Sequence, residues 1–439
     1  MHNSEVNKMQ NFKKSNELLE REVKVSPLAA QTFSKSYRYF CSGIAPSFMD
    51  HGEGCYIYDV DGNKFIDYMC ALGPITVGYN NPKVNEAVIN QVKKFSSGSL
   101  QSELEVQLAE KLCQIVPCAE MVRFVKNGGD ATTAAIRLAR AYTGRDVVLM
   151  SGYHGMHDWS IGASSNNKGV PKAVCELTKT FVYNDLENFK KELEENKGKV
   201  AAVILEPIQS NGPKEGYLQA LKDLTHEAGA ILIFDEVVSG FRYALGGGSE
   251  LTGVTPDLAA FGKGMGNGYA ISAIAGKKEL LQQIEQGVFV STTFGGDSVP
   301  MAAALATISI LEQPGFYDHI TKIGTIMQEG NAKLIQKYNL GNIISTSGLP
   351  AHSGLAFEGH GNLSYLDIQS IYSQTMIENG ILVFAIYNLM GSHTEKEAQA
   401  YLDATDKALA LVRKAVDADN LDGFLRGGKV DPVFKRNIK

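Results

Sequence analysis

The chain has 439 residues, 44% of them hydrophobic and 21% charged, the balance of a soluble globular protein too long for one ordinary core. A net charge of −6 gives no basic footprint, so neither nucleic acid nor a membrane surface is expected as a partner. Cys41, Cys55, Cys70, Cys113, Cys118 and Cys175 are scattered without a Cys-x-x-Cys pair. They read as reduced thiols of a cytosolic protein, which excludes a disulfide framework and a zinc site.

Residues 1–27 are polar and lack an apolar signal region, and no run of about 18 apolar residues occurs anywhere, so a cytoplasmic location is expected. Residues 4–24 carry apolar positions at helical spacing and predict an N-terminal helix or arm. Residues 56–68 alternate about Asp61-Gly62-Asn63 and predict a β-hairpin.

From residue 82 amphipathic helices (82–96, 102–115, 131–142, 185–196 and 217–228) alternate with short apolar strands. The strands are Val122–Val125, Asp146–Met150, Val200–Leu205, Ile231–Phe234 and Ile271–Ala275. Near-continuous apolar runs suit strands covered on both faces, so the pattern predicts an α/β fold with a mostly parallel sheet. Beyond residue 325 the pattern is mixed, with helices near 364–379 and 395–416.

Ligands of open parallel sheets bind where the strands end, and the residues just past each strand form a set. After Val125 comes Lys126-Asn-Gly-Gly-Asp130. Gly128 and Gly129 at a strand-to-helix turn suit an anion at the helix N-terminus, or simply a tight turn capped by Asp130. The segment is not a P-loop, because the Lys-Ser/Thr pair is absent.

After Met150 come Tyr153 and His154, an aromatic able to stack on a planar ring and a hydrogen-bonding neighbour, or an ordinary packed pair. His154, His157 and Asp158 lack a third ligand motif, so no metal is expected. After Phe234 comes Asp235. A carboxylate there needs a cationic partner, which a protonated pyridine nitrogen, a magnesium ion or a helix end would supply. Last, Phe261-Gly-Lys-Gly-Met-Gly266 presents Lys263 among glycines, 28 residues beyond Asp235. A lysine that forms an imine must lie close to the ring and be partly desolvated.

With these landmarks in order, the sequence resembles the class-III aminotransferases, and within them the glutamate-1-semialdehyde 2,1-aminomutase branch. The resemblance runs from about Gly54 to residue 415. It includes Gly73-Pro-Ile-Thr-Val-Gly78, Ala135–Arg145, Tyr153-His-Gly155, Glu206-Pro207, Asp235–Arg242, Gly262-Lys263 and Ser291–Gly296.

It implies a fold-type-I pyridoxal-phosphate homodimer with shared active sites. Residues 81–324 would form the large cofactor domain, flanked by an N-terminal arm and part of the small domain (1–80) and a C-terminal small α+β domain (325–439). Lys263 would hold pyridoxal 5'-phosphate as a Schiff base and shuttle the proton, and Asp235 would pair with the ring nitrogen. Val237 would pack on one ring face opposite Tyr153, with His154 beside it. Gly128 and Gly129 would bind the phosphate, Asn211 would lie near the ring hydroxyl, and Thr293 would reach the phosphate of the neighbouring subunit.

The implied reaction is amino-group transfer from a small-molecule amine donor to a carbonyl or sugar-type acceptor. An intramolecular 2,1-aminomutase is the alternative, and a racemase or a non-catalytic scaffold on the same fold are further rivals.

The chain departs from this pattern in several places. Gly129 replaces a hydroxyl residue, and Asp297 brings a charge near the phosphate. Ala45-Pro-Ser-Phe48 lacks the aminomutase's carboxylate-binding arginine, which leaves Arg38 as a possible substitute, and Leu72 replaces its tryptophan.

Overall fold

The computed structural model describes residues 10–432. Residues 4–9 of the expected N-terminal arm lie outside the described residues. The chain divides into two compact units. One comprises residues 73–77 and 81–318, the other residues 10–72, 78–80 and 319–432.

The first unit is built on seven strands: β1 (Met121–Val125), β2 (Val147–Ser151), β3 (Thr178–Thr180), β4 (Val200–Leu205), β5 (Ile231–Asp235), β6 (Leu258–Phe261) and β7 (Ser272–Gly276). Their order is β1-β7-β6-β5-β4-β2-β3. The run from β6 to β3 is parallel throughout, and β7 is antiparallel to both β1 and β6.

Five of these strands were expected. β3 has only three residues, all polar, and β6 is a four-residue run pressed between Pro256-Asp257 and Gly262. Neither is long enough to give a periodic signal.

Successive side chains of a strand point to opposite faces, and here each face has its own apolar layer. Val148, Ile204 and Ile233 pack with Ala131, Ala135, Leu138 and Ala139 of the helix Gly128–Thr143. Leu149, Val203, Leu232 and Phe234 pack with Phe189, Leu218 and Leu221 on the other side. Double coverage explains why β4 and β5 read as unbroken apolar runs. It also turns the carboxyl ends of the parallel strands into the remaining open edge.

In the second unit the expected hairpin forms from Tyr56–Asp59 and Lys64–Asp67, within a sheet that also contains Met49–Glu53 and Ile381–Leu382. A three-stranded antiparallel sheet (Ile344–Leu349, His352–Phe357, Ile386–Asn388) and the helices Tyr365–Glu378 and Glu395–Ala418 complete it. The hairpin turn has a second task. The Asp61 carboxylate accepts from Lys14 N (2.7 Å) and Ser15 N (2.8 Å), capping the helix Lys13–Glu22 from outside its own segment. Among the described residues no helix is long and apolar enough to cross a membrane.

Candidate active site

The site is assembled at the carboxyl ends of β1, β2, β5 and β6. Asp235 is the last residue of β5 and is buried. Its Oδ1 accepts from Val237 N (3.0 Å), and its Oδ2 lies 2.8 Å from His154 Nδ1. His154 follows β2 and is also buried. Its Nε2 donates to Ser151 O (3.1 Å), so both edges of the imidazole are fixed. A metal-ligand reading of His154 does not suit a ring engaged on both sides. Among the described residues no group of three His, Cys, Asp or Glu is arranged for a metal ion.

The glycine turn meets this pair directly. Asn127 and Asp130 form a reciprocal capping box at the start of the 16-residue helix Gly128–Thr143, so Asp130 caps as expected and the first-turn amides remain directed outward. Thr132 Oγ1 donates to His154 O (2.7 Å), tying the helix to the Tyr153-His154-Gly155 segment. Gly155 has φ +111°, and a Cβ there would stand 2.9 Å from Gly129 Cα. Only glycine permits the two loops to come this close.

Val237 joins the remaining parts. A Cβ on Gly128 would stand 2.8 Å from Val237 Cγ1, and one on Gly262 would stand 3.5 Å from the same atom. The glycine before Lys263 and the glycine of the helix turn thus flank one side chain. Lys263 is half-buried and opens a 3-10 turn, Lys263–Gly266. Its φ of +25° is a conformation that residues with a Cβ rarely adopt, and such strain is retained where surroundings enforce it. Those surroundings include Thr76, whose Oγ1 donates to Gly264 O (3.1 Å), and Asn267, whose Oδ1 accepts from Thr76 N (2.9 Å) and Val77 N (3.0 Å).

Glu236, next to Asp235, is fully buried. Burial pushes its carboxyl above the usual range, although Gly248 N (2.8 Å), Ser249 N (2.8 Å), Ser249 Oγ (2.7 Å) and the Ser239 hydroxyl all donate to it. It pins the chain leaving β5 and so fixes where Asp235 and Val237 stand.

The other expected residues are placed less centrally. Tyr153 is 40% exposed. Asn211 is exposed in the turn after β4, a turn anchored by Gln209 Nε2 donating to Ser151 O (2.9 Å). Thr293 is exposed in a segment that runs along β1. Arg123 holds that segment through Val290 O (2.8 Å), and Gly295 packs on Phe124 O. Sequence reasoning missed Thr132 and the partner of Asp297. Asp297 Oδ2 lies 2.7 Å from Lys126 Nζ, which neutralises the charge that stood out in the sequence.

These parts fit pyridoxal phosphate. Glycine amides at a helix N-terminus suit a phosphate, a buried carboxylate suits a protonated ring nitrogen, and a half-buried lysine on a glycine loop suits an imine. The whole is a fold-type-I pyridoxal-phosphate transferase. The class-III aminotransferase profile matches residues 42–369, and the chain belongs to that family.

A 3-aminobutyryl-CoA aminotransferase of Cloacimonas acidaminovorans is 38% identical over 410 residues, 91% of this chain and 98% of that protein. A glutamate-1-semialdehyde 2,1-aminomutase of Methanococcus maripaludis is 35% identical, covering 80% of this chain and 90% of that protein. The FumI protein of Sphingopyxis sp. MTA144, solved in its pyridoxal-phosphate internal aldimine form, is similar with a TM-score of 0.84 and 28% identity. That match covers 92% of this chain and 97% of FumI. The protein is therefore a pyridoxal-phosphate-dependent aminotransferase, as its motifs implied.

Proposed function

We propose that Lys263 and Asp235 carry the transamination, and that the substrate is an amine with no carboxylate on its amino-bearing carbon. The observation that carries the residue assignment is the meeting of three elements at Val237. Its side chain touches the positions of Gly128 and Gly262, and its amide donates to Asp235.

Bound pyridoxal phosphate supplies an electron sink for the charge that develops at the substrate carbon. The chain supplies the rest. Asp235, held by His154, would keep the ring nitrogen protonated. Val237 and Tyr153 would pack on the ring, and Asn211 would serve its hydroxyl. Gly128 and Gly129 would hold the phosphate through their amides. Lys263 would hold the cofactor through Nζ, and the same amine would move the proton at the amine-bearing carbon. Residues 81–324 form the cofactor domain on this reading, with residues 1–80 and 325–439 completing the smaller one.

The enzyme acts as a homodimer in which Thr293 completes the phosphate site of the second copy. The exposure of Thr293, with Phe294 57% and Phe289 74% exposed beside it, supports a covering partner. Free cysteines, with Cys41, Cys55, Cys70 and Cys118 buried, suit a reducing cytoplasm.

The segment Ala45-Pro-Ser-Phe48 holds no arginine, and Arg38 is already engaged with Asp431, which disfavours the remote carboxylate of glutamate-1-semialdehyde. The amino-bearing carbon of the proposed substrate carries no carboxylate. The Cloacimonas relative is named for a thioester amine of this kind, and a sugar-type acceptor shares the same lack. The test is a half-reaction screen of the holoenzyme against β-amino thioesters, amino sugars and α-amino acids, following the cofactor's visible absorbance. Conversion by α-amino acids alone would overturn the substrate reading. Turnover of one compound with no separate acceptor would favour the aminomutase.

A further inference from the structure

Lys126 and Asp297 form an ion pair at a junction of the fold. Lys126 sits between Val125, the last residue of β1, and Asn127, which caps the glycine helix. Asp297 directly follows the Ser291–Gly296 segment and caps the 14-residue helix Ser298–Leu311. Their side chains are 28% and 16% exposed, and Nζ and Oδ2 are 2.7 Å apart.

The other carboxylate oxygen is also held. Ser96 Oγ donates to Oδ1 (2.7 Å), and Val299 N lies 3.4 Å from it. Burial raises the Asp297 carboxyl, but the Lys126 bond and charge and the Ser96 hydroxyl outweigh it, and its pKa falls below the ordinary value. The pair is thus a satisfied, half-desolvated bridge, unlike a solvated surface contact.

The same segment touches β1 at two further points, the Arg123 bond to Val290 O and the packing of Gly295 on Phe124 O. Those contacts fix its path along the strand. Lys126–Asp297 fixes its end at the turn that bears Gly128 and Gly129.

We propose that the Lys126–Asp297 ion pair is a latch that holds the Thr293 segment in the position needed to complete the cofactor-phosphate site of the second protomer. The inference rests on the homodimer reading above. Lys126 and Asp297 act as positioning residues, and their effect falls on the partner's site, although Lys126 adjoins the phosphate turn of its own.

The test uses Asp297→Asn, which keeps a capping side chain and loses the charge, and Lys126→Met, which keeps the stem and loses the ammonium. Each weakens pyridoxal-phosphate binding to the homodimer by about five- to tenfold. The double variant is no weaker than either single one, because the same pair is lost. Lys126→Arg restores most of the affinity.

Exchange with Lys263→Ala protomers then locates the defect. In a dimer of one Asp297→Asn and one Lys263→Ala protomer, the site that keeps Lys263 receives an intact segment and binds cofactor with wild-type affinity. The Lys126→Met exchange behaves in the same way. Weak binding in that site places the effect in the variant's own protomer and overturns the latch. Thr293→Ala taken through the same exchange separates the two ideas. If Thr293→Ala fails to complement, the shared-site reading is wrong. If it complements and Asp297→Asn does not, only the latch is wrong.

Discussion

His154 Nδ1 lies 2.8 Å from Asp235 Oδ2, with both side chains buried and the far imidazole nitrogen bound to Ser151 O. A carboxylate at the end of an apolar strand is costly without a partner, and this ring holds it from the strand beyond β4. Asp235→Asn keeps the size of the side chain and removes the charge proposed to keep a ring nitrogen protonated. Single-turnover proton abstraction should slow by ~10²–10³-fold, with a smaller change in cofactor affinity. His154→Ala should cost about 1–3 kcal/mol of stability through the lost hydrogen bond and slow the reaction less than Asp235→Asn. A normal single-turnover rate for Asp235→Asn would remove it from the assigned role.

Lys263→Ala should lower turnover by ~10³-fold or more and abolish the visible absorbance of the bound cofactor, while far-ultraviolet circular dichroism stays unchanged. Borohydride reduction followed by peptide mapping checks the assignment. A label on any other lysine refutes it.

Thr293→Ala should weaken cofactor binding more than a single hydroxyl usually would, because Gly129 contributes none. Mixed dimers with Lys263→Ala protomers should regain activity, since one site then carries both lesions and the other neither. Dimers shown to have exchanged but lacking activity would confine Thr293 to its own protomer or remove it from the site.

Acid should destabilise the protein partly through His393. Burial lowers its imidazole pKa from 6.5 to about 3. The unfolded chain takes up this proton as pH falls below 6.5, while the folded chain resists until about pH 3. The stability is therefore complete above pH 6.5 and is lost progressively toward pH 3, at up to about 1.4 kcal/mol per pH unit. His393→Phe retains the stack on Tyr68, whose ring centroid is 4.4 Å away at 5°. It should flatten the dependence of the urea midpoint on pH between 6.5 and 4. The absolute midpoint will drop, because Met390 N loses its acceptor, so the comparison is of slopes. Parallel slopes for the two proteins would exclude His393 as a source.

Glutamate-1-semialdehyde should be a poor substrate. A buried carboxylate without its bidentate arginine loses a charge-assisted pair of about 2–5 kcal/mol, or tens to thousands of fold in kcat/KM. Arg38 does not replace that arginine while it is paired with Asp431. The measurement is kcat/KM for the semialdehyde against a β-amino thioester with a keto-acid acceptor. Preference for the semialdehyde, with no acceptor required, would reverse the assignment.

Local pattern was enough for much of this protein. Apolar runs over Val200–Leu205 and Ile231–Phe234, the turn at Asp61-Gly62-Asn63, and glycines placed just past strands are properties of consecutive residues. Each survives in the fold because neighbouring residues set backbone freedom and side-chain alternation. Gly128, His154 and Asp235 were candidates for the same reason, since each stands at or just past the end of an expected strand; Lys263 stood out by its flanking glycines, because β6 before it gave no strand signal.

What consecutive residues do not encode is which strands become neighbours. β7 lies between β1 and β6, antiparallel to both, a placement decided by packing over the whole sheet. That order brings both Gly262 and Gly128 against Val237, and lets Gly155 approach Gly129 closely enough to exclude any side chain. The charge of Asp297 looked misplaced in one dimension because its partner, Lys126, is 171 residues away. Such long-range pairs exist only in the folded chain, where burial makes an unpartnered charge costly. Only the tertiary structure could decide them.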